Sequence, residues 1–165
     1  MNAKTKALGL FFLFTLGACG SHVPPPIDRE VEARVRAPAS EDSEGVQVYS
    51  LQNPAVKQLT AQAEAAERTG NLEQAGAYIE RALRIDPRDP QLLQHMAEIH
   101  LQEENYQQAL NFAVRSYDTG PRVGEICSRN WRTISVAREH LNDLNGATDA
   151  EARASQCMNN RPKGL

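Results

Sequence analysis

Gly70-Asn71-Leu72-Glu73-Gln74-Ala75 returns thirty-four positions later as Glu104-Asn105-Tyr106-Gln107-Gln108-Ala109. A degenerate third version, Asn142-Asp143-Leu144-Asn145-Gly146-Ala147, follows with about four extra residues. Ala75 maps onto Ala109, and Pro87 onto Pro121. The punctuation around these units is that of helix pairs. Asn53-Pro54 and Asp89-Pro90 each supply an N-cap and a first-turn proline. Gly70-Asn71, Glu104-Asn105 and Asn142-Asp143 each break a unit in its middle, and Gly120-Pro121 closes a helix. The pattern predicts six helices, near 54–69, 72–85, 90–103, 106–119, 125–141 and 144–158. Composition agrees, because Ala, Leu, Glu, Gln and Arg dominate residues 55–158 and aromatics make up only 5% of the chain.

The period and its residues resemble the tetratricopeptide repeat. In that family small residues sit where two antiparallel helices cross. Ala63, Ala75 and Ala82 match in the first repeat and Ala97 and Ala109 in the second, with Ser116 in place of the next alanine. Leu59, Tyr78, Leu83 and Ile85 fill the gaps of repeat one, and Leu93, Met96, Leu110, Phe112 and Tyr117 those of repeat two. Trp131 stands where Leu59 and Leu93 stand in the earlier units. The resemblance implies an all-α fold, a short solenoid of three antiparallel helix pairs spanning 53–160, with repeats near 55–89, 90–123 and 125–158. Three units meet the minimum for a stacked core.

Such a solenoid presents a concave groove lined by the first helix of each pair. By the family pattern the groove residues are Lys57, Thr60, Glu64 and Glu67 in repeat one. Repeat two offers Gln91, Gln94, Glu98 and Leu101, and repeat three Arg129, Arg132 and Val136. The surface is acidic toward one end and basic toward the other. Thr60 and Glu64 occupy positions where some family members clamp a C-terminal carboxylate, so that chemistry is not supported here.

The other end of the chain has a different character. Lys4 and Lys6 precede an apolar run from Ala7 to Leu16, too short to span a bilayer, which needs about 20 residues. Leu16-Gly17-Ala18-Cys19 then resembles the lipobox of bacterial lipoproteins. The resemblance implies removal of a signal peptide, 1–18, and acylation of Cys19. Gly20 rather than Asp after the lipidated cysteine points, by the same resemblance, to the outer membrane, facing the periplasm. Residues 19–52 read as a flexible tether, because prolines, small residues and mixed charge leave little apolar area to bury. A transient helix is expected around 28–36. Fully extended, the tether reaches about 115 Å at ~3.3 Å per residue. Val46, Val48, Tyr49 and Leu51 form an apolar island at its end that either docks on the first helix or binds a partner. Residues 161–165 read as a tail.

Two further cysteines, Cys127 and Cys157, fall at the start and the end of the third helix pair, ends that an antiparallel hairpin brings together. They read as a disulfide that staples the terminal repeat, or as two buried thiols. Chemistry for catalysis is missing from the motifs. His95 and His100 are five apart, not the i,i+4 of a zinc pair, and His22 and His140 lie apart from them. Neither a phosphate-binding glycine loop nor a nucleophile elbow is present. A net charge of −3 gives no electrostatic case for nucleic acid. The reading is a binding protein: not an enzyme, with no cofactor, no metal and no small-molecule substrate. The whole plan resembles the small tetratricopeptide lipoproteins that activate a bifunctional class A penicillin-binding protein. That resemblance implies a partner in the periplasmic region of such a synthase, and stimulation of cell-wall synthesis through protein–protein contact. Pilotin-like assistance to a secretin or type IV pilus, and a scaffold for a periplasmic protease, are the alternatives.

Overall fold

The computed structural model describes residues 26–38 and 53–159. The lipobox, Cys19, the island at 46–51 and the tail at 161–165 lie outside the described residues. Two short pieces open the described chain, α1 (Ile27–Glu30) and a π-helical stretch, Val31–Arg36, that continues it. Six helices follow: α2 (Pro54–Arg68), α3 (Leu72–Ile85), α4 (Pro90–Gln102), α5 (Tyr106–Thr119), α6 (Gly124–His140) and α7 (Leu144–Asn159). The described residues contain no strand. The six predicted helices are all present, with ends displaced by at most one residue.

Local chemistry sets those ends. Asn53 accepts from the Ala55 amide at 2.9 Å, and Asp89 from those of Gln91 and Leu92 at 2.8 and 3.3 Å, each beside a proline at the first helical position. Asn71 accepts from Gln74 N at 3.1 Å and Asp143 from Gly146 N at 2.9 Å. The turn inside each pair is the same device used three times. Gly70, Glu104 and Asn142 take the left-handed conformation, with φ of 74°, 58° and 63°. Behind each, the next amide reaches back a full turn: Asn71 to Ala66 O, Asn105 to His100 O, and Asp143 to Arg138 O, at 2.8–2.9 Å. That 6→1 closure satisfies carbonyls that the helix end would orphan.

Within each pair α2 packs on α3, α4 on α5 and α6 on α7, while α3 meets α4 and α5 meets α6, which stacks the pairs in order. Ala63, Ala75, Ala82, Ala97 and Ala109 are fully buried at the crossings. Ser116, which takes an alanine's place, is equally buried, and its hydroxyl donates to Pro90 O at 2.6 Å, tying the end of α5 to the start of α4. A disulfide joins Cys127 on α6 to Cys157 on α7, with Cα atoms 5.7 Å apart, so the last pair is closed covalently at its open end.

One expectation is corrected. The stretch 27–36, assigned above to a flexible tether with a transient helix around 28–36, is helical there but is packed against α4 and α6. Averaged composition hides the reason. Ile27, Val31 and Val35 recur every four residues and make one apolar row among charges. Val31 and Val35 are completely buried against Leu101, Val136 and Ala137, with Ile27, Tyr106 and Leu110 beside them.

Candidate functional site

The groove is built from the inward faces of α2, α4 and α6. Its floor is polar. Glu98, mid-way along α4, is wholly buried. Arg129 of α6 grips it with both arms of its guanidinium, Nε to Oε1 at 2.5 Å and Nη2 to Oε2 at 2.6 Å. Gln94, one turn earlier, donates to Glu98 Oε1 at 2.8 Å and to Thr133 Oγ1 at 2.6 Å. Burial pushes the Glu98 carboxyl up, but Arg129, then Arg36 and the Gln94 amide, outweigh it and hold it at about 2. Glu98 is therefore an anion at neutral pH.

Arg36 of the N-terminal segment reaches this floor. Its Nε donates to Glu98 Oε2 at 2.8 Å and its Nη2 to Glu67 Oε2 at 2.9 Å. Glu67 of α2 also meets His95 Nε2 at 2.8 Å through its other oxygen. One chain of charge thus runs Glu67, Arg36, Glu98, Arg129, and touches the first helix of all three pairs. Burial raises Glu67, but its bond to His95 and the Arg36 charge leave it lowered overall. At the other end of the segment, Glu30 bonds Arg34 and meets His140 Nε2 at 2.9 Å, and Arg34 meets Glu139 at 2.8 Å and Glu151 at 3.2 Å. The His140 ring stacks on Tyr106 with centroids 4.3 Å apart.

Of the residues named from sequence, Glu67, Glu98, Leu101, Arg129 and Val136 meet around the bound segment, directly or through Glu98. Gln94 lies in the floor itself. Arg132 turns aside to Glu125, at 2.5 Å. Lys57 and Glu64 are exposed on α2, Thr60 bonds back to Val56 O, and Gln91 is exposed at the start of α4. Sequence reasoning missed Val31, Val35, Arg36 and His95. The i,i+4 apolar row ending in Val35-Arg36 was the signal for the first three.

A family model described as tetratricopeptide repeat matches residues 56–99, which is α2, α3 and most of α4. A solved structure, the globular C-terminal domain of P. aeruginosa LpoP, is 31% identical with a TM-score of 0.61, over 63% of this chain and 98% of that one. The chain is a tetratricopeptide-repeat protein of the LpoP family. No curated protein sequence matches significantly. A tetratricopeptide domain is a module for protein interaction, and the groove here holds a buried anion, an apolar wall and a seated helical segment. No helix among the described residues is long and apolar enough to cross a membrane.

Proposed function

We propose that this chain is an outer-membrane lipoprotein, acylated at Cys19, whose tetratricopeptide domain binds the periplasmic region of a class A penicillin-binding protein and stimulates peptidoglycan synthesis by contact. The likeness to LpoP, 31% identity across 98% of that domain, carries the proposal. Leu16-Gly17-Ala18-Cys19 and the Gly20 after it support the anchor and its membrane. The domain acts by binding. Its concentrated charge, Glu98 with Arg129 and Arg36, is engaged in ion pairs.

The test is a pull-down from detergent-solubilised envelope, with the chain from Gly20 onward as bait. A fluorescent β-lactam should mark a penicillin-binding protein in the eluate. The same bait should accelerate glycan polymerisation by that purified synthase. Recovery of a secretin with no labelled band would refute the assignment and favour the pilotin alternative.

A further inference from the structure

We propose that Ile27–Arg36 is a cis ligand of the groove between α4 and α6, and that it yields to a partner segment of the same chemistry: a short helix with two aliphatic residues four apart and an arginine directly after the second. This goes beyond the cell-wall reading, and it holds or fails without it, because it names the chemistry of the occupant and not its identity.

Three observations carry the inference. First, the groove is costly to leave empty. Glu98 has no exposed surface, and beside it Glu67 is nearly as enclosed. Arg36 is the cation shared between them, so removing it takes one charge partner from each and leaves Glu98 with Arg129 and Gln94, and Glu67 with His95. Leu101 and Val136 lose their cover at the same time. Second, the occupant is built weakly. It is ten residues long, below the length at which a helix holds itself, and six of those residues follow the rare π geometry. Its apolar anchorage is two buried valines with Ile27 beside them, its other holds are the ion pairs of Arg36, Arg34 and Glu30, and the disulfide lies elsewhere, between α6 and α7. Third, the segment is joined to α2 by residues 37–53, so it is present at the groove at about millimolar effective concentration, as a short linker provides. A strong preference of the groove for an occupant, met by a weak one held near by a linker, is the arrangement of a displaceable cis ligand. Competition then has a defined size. A segment seated nine-tenths of the time weakens a trans ligand by about tenfold.

The experiment uses the chain from Gly20 onward and a fluorescent peptide of residues 26–38. In one chain Val31→Asp and Val35→Asp unseat the cis segment. By anisotropy the peptide should bind that variant at least tenfold more tightly than the unmodified chain, and an Arg36→Glu peptide should lose at least tenfold on the variant. Equal affinity for the two chains overturns the proposal. So does failure to bind a variant that keeps wild-type helicity and a cooperative melt, or indifference to Arg36→Glu. Should the variant not fold, a protease site placed within 39–52 gives the second arm. After cleavage and dilution to nanomolar concentration, the segment should leave the domain on gel filtration. A segment that stays bound is a permanent part of the fold, and the proposal falls.

Discussion

Acid should loosen this domain chiefly through Glu98, and Glu98→Gln should remove that share of the sensitivity. The ordinary value for Glu98 is 4.5, and the folded protein holds it at about 2 against the opposing effect of burial. At 1.36 kcal/mol per pH unit, that displacement corresponds to about 3 kcal/mol of folding stability. The sign follows from the direction. A depressed carboxylate contributes fully above its unfolded value, so the stabilisation is present above pH 4.5 and is lost as pH falls to about 2. Glu67 and Glu30 are also lowered, and they give the protein some acid sensitivity of their own. The difference between wild type and Glu98→Gln isolates Glu98, because the variant keeps the shape and the two neighbouring carboxylates. Urea unfolding of both proteins, disulfide intact, at half-unit steps from pH 6 to pH 2 measures it. Wild type should be the more stable at pH 6, and its advantage should shrink by about 3 kcal/mol across the series. Stability curves that stay parallel within about 1 kcal/mol would show that the Arg129–Glu98–Arg36 arrangement does not hold the anion as described.

Three further outcomes are expected. Reduction of Cys127–Cys157, which closes a loop across a separation of 30 residues, should cost about 3–4 kcal/mol and lower the melting temperature, while the oxidised chain from Gly20 onward, which lacks Cys19, should show no thiol reactive toward maleimide. Glu104→Gly should raise stability by about 0.5–1 kcal/mol, because a glutamate pays for left-handed backbone that Gly70 adopts freely in the equivalent turn; a lower melting temperature would contradict this. Ser116→Ala should destabilise by about 1 kcal/mol in urea unfolding through loss of the hydroxyl bond to Pro90 O, although alanine fits the repeat pattern better.

Why the helices were legible and the groove's occupant was not has a physical answer. Helix ends are short-range objects. Asn53-Pro54, Asp89-Pro90 and the Gly70, Glu104 and Asn142 turns each act within one turn of chain, so a local reading finds them. The crossings were legible for a related reason: only small residues allow helices that close, and alanines at a fixed period say so. Ser116 broke that pattern, and its partner, Pro90 O, is twenty-six residues away, where no local rule looks. Residues 27–36 failed differently. Charge and proline content describe whether a segment can fold by itself, and this one does not need to. Its valines are buried by Leu101 and Val136, and its Arg36 is held by Glu67 and Glu98, all from helices that start seventeen or more residues later. Composition cannot register a surface supplied from elsewhere.

Docking of that segment changes the meaning of the tether. With Cys19 as the anchor and 27–36 released, the chain up to α2 extends to about 115 Å. With 27–36 seated on α4 and α6, what remains between anchor and domain is Gly20 to Pro26, about 25 Å at full extension. If the acylation at Cys19 and the displacement of 27–36 proposed above both hold, the groove and the reach are one equilibrium. Whatever fills the groove in place of Val31, Val35 and Arg36 also lets the domain travel, so a partner that lies far from the membrane is favoured to compete by the length its binding releases. A partner close to the membrane gains nothing from that release and must displace the segment on affinity alone.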